Sequence, residues 1–465
     1  MSYTGSTAAI LTNYDEALKT FYLPAVQEQL NHSTYLADKL EVNEEDVSGK
    51  NATVVAHYGR SSGTGARADG GALPEADYQK FKTCIVPMKR NYGRVTFSGP
   101  TIAATRDEKG SYARVIDTEI TGIVKDLAQE VNRQLWGCGY GILARWVSGG
   151  SGTEVLQKSY MGNTVGGDGF GSTFGAKYFT ENTKCVTVLN SSTSSSHIVN
   201  LTVATTELTA TTITEGTTYD TVVFTGSASI SEVAGVFYVR KGNAVSVTSA
   251  SSAGAFRLEM MGLRGIVTDE NLDDIAVFDG ATDYDTNRGL TDDDPLQGLA
   301  VGTYSWWKAQ VDASSAGRYR AQRALSRKLM QKMFDKVEKA AGVGYGPDTI
   351  LTTRAIRREY FELVVPDVRH VNTMKLDGGW EALDYNGVPL MVDDDAIDGE
   401  MYFLTLKDLQ IYRMSDYDWM NKDGNILSRI TGYDAYEAVL YRYAELGCKR
   451  RNSQGVLCDL SYEAD

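Results

Sequence analysis

Histidine, proline and mid-chain charge are all scarce in this sequence. Its 465 residues include 4 histidines and 8 prolines. The histidines, His32, His57, His197 and His370, are widely separated, so none stands beside another at metal-ligand spacing. The five cysteines, Cys84, Cys138, Cys185, Cys448 and Cys458, are an odd and scattered set. That fits reduced thiols in a cytoplasmic setting better than a disulfide framework, and no Cys or His pair supports zinc. No run of about 18 apolar residues occurs, so no membrane span is expected. Met1–Leu11 lacks a basic segment and a long apolar run, so no signal peptide is expected. Basic residues are outnumbered: the net charge of −14 argues against broad coating of nucleic acid, which needs cationic surface to displace counterions.

The middle of the chain is nearly uncharged. From Thr183 to Ser231 nearly every second residue is Ser or Thr, including Ser191–Ser196 and Thr202–Thr206 with its two intervening apolar residues. Such text favours strands and exposed turns and offers few groups for acid/base chemistry. Strand candidates are Cys185–Val188, Ile198–Val203, Thr221–Phe224, Val236–Val239 and Ala244–Val247. Short strands at regular spacing suggest a sandwich or barrel. The flanking segments are charge-rich and read as one interrupted α+β domain.

What is present begins with a helix near Asn13, carrying Ala17, Leu18, Phe21 and Tyr22 at helical spacing and interrupted by Pro24. Ala52–Tyr58 alternates as a strand. A Gly-rich excursion follows, and the chain returns through Phe81, Ile85 and Val86 to Arg94–Phe97. Strand, long tip and strand make an extended hairpin with too little apolar surface to fold onto its own core. Next comes the clearest helix. Val115, Ile116, Ile120, Ile123, Val124, Leu127, Val131 and Leu135 form one stripe, with Tyr112 ahead of it and Asp107 or Ser111 as a start. Ala316–Ala341 reads as a basic amphipathic helix, with Leu325, Leu329, Met333, Phe334 and Val337 inward. Its basic face is expected to be solvated or to contact a subunit, with the acidic runs Asp292–Asp294 and Asp393–Asp395 as partners across an interface. Beyond Leu383 the text is strand-rich, and Tyr433–Leu446 is a last apolar-periodic stretch.

No catalytic constellation emerges. Gly59–Gly63 matches a nucleophile-elbow pattern, but the residues after it are Gly-rich and not helical. Gly342–Gly346 and Gly137–Gly141 hint at phosphate loops, yet both follow helices and precede none, so they read as helix ends or turns. Asp283, Asp285, Asn287 and Asp294 have calcium-loop spacing, but Arg288 stands where the sharp turn wants Gly, so they remain a weak cation candidate.

The order of parts then matters. Gly71–Tyr78, Asn132–Gly137 with Gly139 and Gly141, Met261–Val267, Asn386–Leu390, Gly399–Leu404 and Gly432–Tyr436 occur in the order of segments seen in major capsid proteins of tailed double-stranded DNA bacteriophages. Over roughly three quarters of its length the chain resembles that family, of the Hong Kong 97 type. The resemblance implies an α+β capsid fold: an N-terminal arm (1–51), an extended hairpin loop (52–100), a spine helix of a peripheral domain (101–147), a mainly axial domain (259–411) and peripheral strands with an axial return (412–465). Residues 148–258 are not part of the minimal fold and are expected to form an all-β insertion domain.

By the same resemblance the function is mechanical, with no enzymatic activity and no cofactor. Copies would assemble as pentamers and hexamers of a closed shell, in a virion put together in the host bacterial cytoplasm. Arg60, Arg67, Leu73, Pro74, Glu75 and Tyr78, in the hairpin, are the candidate contacts to a neighbour. The implied partners are other copies, a scaffolding protein, a portal, a decoration protein and packaged DNA, which an acidic lining would let slide. There is no long helical scaffolding extension at the start of the sequence, so a separate scaffold or a removed extension is implied. An encapsulin-like nanocompartment is the near alternative. A β-rich carbohydrate-binding or adhesive protein is the distant one.

Overall fold

A computed structural model describes residues 35–69, 71–104, 115–139, 141–150, 153–157, 177–179, 184–190, 201–203, 208–214, 219–225, 237–240, 258–269, 295–314, 322–342, 344–364, 373–375, 381–421 and 426–462. The expected helix near Asn13, the helix starts at Asp107 and Ser111, the acidic run Asp292–Asp294 and the cation candidates Asp283, Asp285, Asn287 and Asp294 lie outside these residues.

Two layers meet at the end of one long helix. Val115–Trp136 runs for 22 residues, about 33 Å at roughly 1.5 Å per residue. Among its described side chains, the apolar stripe is fully buried towards the C-terminal end. Leu127, Val131, Leu135 and Trp136 are enclosed, whereas Val124, expected inside, is 36% exposed. The first half rests on a sheet instead, with Ile120 and Ile123 against Val95 and Phe97. That sheet is centred on the long strand Ala435–Cys448. It pairs antiparallel with Lys89–Ser98 over Ala435↔Ser98 to Ala444↔Lys89 and, on its other edge, with Leu409–Trp419. Glu41–Asn43 adds in parallel to Leu409–Trp419. Gly93 is small for a reason: a Cβ there would stand 2.9 Å from Ile123 Cγ1. The periodic stretch ending at Leu446 is therefore strand, and Ala438, Leu440, Arg442 and Ala444 are buried at a period of two.

The second layer is a seven-stranded mixed sheet. Its order is Gln310–Asp312, Gly455–Leu457, Met401–Leu404, Thr349–Thr352, Val388–Val392, Glu381–Tyr385 and Thr373–Lys375. Helices Arg327–Ala341 and Arg354–Val364 cover one face, setting Met330, Met333, Phe334, Ile356 and Tyr360 against Ile350, Leu390 and Phe403. The opposite face, through Leu351, Tyr402, Leu404 and Val456, packs on Leu135, Trp136, Leu263 and Ile266. Trp136 meets Tyr402 edge-on, with ring centroids 5.5 Å apart. The spine helix thus inserts its last turn between the two sheets.

The basic helix is shorter than the sequence implies. It starts after Ser326, whose side chain accepts a hydrogen bond from Leu329 N–H at 3.3 Å. Leu325 is buried but precedes the helix. Just upstream, Arg323 donates to Asp312 Oδ2 at 2.9 Å and pairs in parallel with Leu460, so extended backbone wins there over helix propensity.

The Thr-rich stretch contains strands that pair only with one another among the described residues. Their order is Leu208–Thr214, Tyr219–Thr225, Thr153–Gln157, Ile142–Gly150, Phe237–Arg240, Lys184–Asn190 and Leu201–Val203. Leu208 and Thr209 also pair with Cys185 and Lys184, closing six of the strands into a ring. The sheet begins at Ile142, ahead of the boundary expected at residue 148.

Candidate assembly surface

The hairpin arm is built from Asn51–Gly59 and Lys80–Pro87, with Val47–Ser48 added at its base. The strands pair from Asn51↔Pro87 to Gly59↔Lys80, with an irregularity between His57 and Gly59. Lys89–Ser98, which contains the return strand expected at Arg94–Phe97, belongs to the spine sheet instead. Alternation gives the arm two unlike faces. Inward, Ala52, Ala56, Cys84 and Val86 are buried against Leu299, Trp307 and Tyr412. Outward, Val55 is 63%, Phe81 60% and Ile85 46% exposed. His57 lies beside Phe81, ring centroids 4.9 Å apart.

Beyond Gly59 the tip is extended and polar. Its hydrogen bonds are few and local. Ser62 donates to Asp77 Oδ2 from both N–H and hydroxyl, each at 2.8 Å. These bonds, with the backbone N–H of Tyr78, hold the Asp77 carboxyl down at about 2. Of the residues singled out from sequence, Arg60, Arg67, Leu73, Glu75 and Tyr78 are exposed on this tip and Pro74 is half-buried. Leu73 is 85% and Tyr78 74% exposed, unusual for large apolar groups. Sequence reasoning missed the outward Val55, Phe81 and Ile85, although the alternation that reveals them was in view.

The arm's base leads into a buried polar junction at the end of the spine helix. Asn132, fully buried, donates to Asp393 Oδ1 at 3.1 Å and to Asp395 Oδ2 at 2.8 Å. Leu36 N–H donates to Asp393 Oδ2 at 3.1 Å, and Tyr178 OH donates to Asp395 Oδ1 at 3.0 Å. Burial raises the Asp393 carboxyl despite these donors. Arg133 pairs with Glu130 and Glu259. Gln134 exchanges hydrogen bonds with Asn91 at 3.1 and 3.2 Å and accepts from Met260 N–H. Gly262 closes the junction, because a Cβ there would meet Gln134 O at 2.3 Å.

This corrects the expectation that Asp393–Asp395 reaches across an interface. Asp393 and Asp395 are each 1% exposed and satisfied inside the subunit, and Asp394 pairs with Arg354. The basic helix is likewise engaged internally: Lys332 binds Asp312 at 2.5 Å and Lys336 donates to Val311 O.

Ser61 Oγ accepts from Gly63 N–H at 3.1 Å, and extended chain follows it rather than helix, so the elbow lacks its second half. Gly342 ends a helix at φ 100° and donates to Glu338 O, as a C-terminal cap does. Cys84, Cys138, Cys448 and Cys458 are buried. Among the described residues, no three His, Cys, Asp or Glu side chains are placed to hold a metal, and no helix is long and apolar enough to cross a membrane.

No protein-family model matches the sequence, and no curated protein does. Among solved structures, the capsid asymmetric unit of cyanophage A-1(L) is similar over 97% of this chain and 99% of that chain, at 12% identity and a TM-score of 0.53. The capsid of a native GTA particle and the holo-SrpI encapsulin complex of Synechococcus elongatus PCC 7942 each cover 98% of this chain and 99% of their own, at 8% identity and a TM-score of 0.45. These two are too loose to carry weight. The cyanophage likeness establishes the fold: the chain is α+β and has the Hong Kong 97-type architecture of capsid proteins. The likeness spans nearly the whole chain and does not single out the β-rich stretch as an insertion.

Proposed function

We propose that this chain is the major capsid protein of a tailed double-stranded DNA bacteriophage, closing into an icosahedral shell around the genome. The observation that carries the reading is the arm. Its outer face and tip expose Val55, Phe81, Ile85, Leu73 and Tyr78, which the subunit itself leaves uncovered. In a chain of capsid fold, a neighbouring copy is the surface that buries them. Each such contact is modest, but it recurs at every subunit, so the shell is held multivalently. Arg60, Arg67, Leu73, Pro74, Glu75 and Tyr78 are then interface residues, in rings of five and six. The net charge of −14 lets packaged DNA lie near the wall without adhering. Catalysis plays no part. A scaffolding protein, a portal and a decoration protein belong to the same reading.

Negative-stain microscopy of the purified protein tests it, together with nuclease protection of co-purified nucleic acid. Closed shells with protected double-stranded DNA are expected when the packaging proteins are present. Shells that enclose protein cargo and no DNA would point to a nanocompartment. Monomers that never close under any assembly condition would refute the proposal.

A further inference from the structure

Beyond its buried base, the arm makes its last described contacts with the subunit at Tyr58 and Lys82. Its inward face runs Ala52, Val54, Ala56 and then Tyr58 on one strand, and Val86, Cys84 and then Lys82 on the other. Tyr58 and Lys82 are the last of these before the tip. Each meets an aromatic ring from the loop after residue 299. Tyr58 stacks flat on Trp306, with centroids 4.9 Å apart and planes 6° from parallel. Lys82 Nζ sits 5.2 Å above the ring of Tyr304. Trp306 in turn meets Trp307 and Tyr304 edge-on, at 5.7 and 6.0 Å. Trp307 is buried, donates Nε1–H to Leu296 O at 3.3 Å, and accepts from Arg451 at its carbonyl. The grip is therefore continuous with the core.

We propose that Tyr304 and Trp306 are positioning residues that clamp the arm at Tyr58 and Lys82 and so set the direction in which its tip projects. The proposal rests on the reading of the arm as a subunit-linking element. A flat ring stack and a cation over a ring both depend on orientation, unlike plain apolar burial. They sit at the point where small rotations move a tip of some twenty residues most. Loosening the clamp leaves the contacts of the tip intact but spreads it over more directions. That lowers its effective concentration at the neighbour, and the loss recurs at every interface.

The test uses the full chain in the expression system in which the unmodified chain yields shells. Trp306→Ala removes the stack from the loop side, Tyr58→Leu removes it from the arm side, and Trp306→Phe retains an aromatic face. Two measurements are read: hydrogen exchange of the Val54–Tyr58 and Lys82–Cys84 amides in the unassembled subunit, and the protein concentration at which shells appear. Trp306→Ala and Tyr58→Leu are expected to speed exchange there about fivefold and to raise the assembly threshold by at least a similar factor. Trp306→Phe is expected to stay close to the unmodified protein. A parallel variant has residues 60–72 replaced by a short Gly-Ser turn. If that variant fails to close while Trp306→Ala and Tyr58→Leu close normally, the clamp is refuted and the arm reading stands. If the shortened arm also closes normally, both are refuted. If Trp306→Ala does not fold, Tyr58→Leu decides, since Tyr58 is 41% exposed.

Discussion

Glu445 gives the sharpest quantitative test of the packing. It is 2% exposed on the central strand of the spine sheet. Its Oε1 accepts from Met261 N–H at 2.5 Å and from Leu446 N–H at 3.0 Å. Loss of solvent is the largest influence and pushes the carboxyl up to about 8, against the opposing pull of Lys89 and the two amides. In the unfolded chain the group ionises near 4.5. The folded protein therefore keeps a proton that the unfolded chain has lost, and stability falls as pH rises from about 4.5 to about 8. At roughly 1.4 kcal/mol per pH unit, the decline is about 3 kcal/mol by pH 7 and about 5 kcal/mol above pH 8. Glu445→Gln keeps both acceptor bonds and the volume but cannot ionise. Urea unfolding of the unassembled subunit, from pH 4 to pH 9, should show the two proteins within about 1 kcal/mol at pH 4. The glutamine variant should then gain by about 3 kcal/mol at pH 7. Other carboxyls titrate alike in both proteins and cancel. A difference that stays flat across pH would refute the reasoning.

Four further outcomes follow from the same contacts. Asn132→Ala strips a buried donor from Asp393 and Asp395 and should lower stability by about 3 kcal/mol in urea melts, with Asn132→Asp worse at neutral pH. Gly262→Ala forces a methyl against the Gln134 and Gly137 backbone and should destabilise by about 2–3 kcal/mol by the same measurement. Phe81→Ser, on the outward face of the arm, should leave subunit melting within about 0.5 kcal/mol while abolishing closed shells under the microscope. Residues 140–258 expressed alone should be soluble with a β-type circular dichroism spectrum, and a disordered spectrum would make the stretch an integral part of the subunit.

The hairpin and spine helix were legible because their periods are plain. Ala52–Tyr58 alternates, and Ile120, Ile123, Leu127 and Val131 step by three and four. Tyr433–Leu446 was ambiguous by period alone, since a strand buried along much of its length also reads as a continuous apolar run. From sequence the helix ending at Ala341 is overextended because basic residues recur from Arg318 to Lys336 without a break in composition. The break is set by Arg323 reaching Asp312, eleven residues back, and Cys458, 135 residues on. Strands Ile142–Gly150 and Leu208–Thr214 were missed, one for its start among glycines and the other for its dense Thr. The junction was the least visible. Asn132, Arg133 and Gln134 resemble the end of a spine helix with no sign of burial, and Asp393–Asp395 reads as an acidic run facing an interface. Each is buried because the other is there, and no local pattern encodes that.

That mutual burial explains why the subunit divides as it does. A buried carboxylate is tolerable only where donors meet it, and Asp393 and Asp395 draw theirs from Leu36, Asn132 and Tyr178. Moving any one of these elements takes a donor from a buried carboxyl, which favours a single arrangement of the junction. The arm is built on the opposite terms. Its outer face carries Val55, Phe81 and Ile85, which have no directional demands and can accept any complementary apolar surface. Its tip is held by local bonds such as Ser62 to Asp77, which survive whatever the arm does as a whole. On the proposed function, a shell would place the same subunit in rings of five and of six, whose angles differ. A rigid junction carrying an arm with non-directional outer contacts would meet that requirement: the subunit would keep its shape while the link between copies adapts.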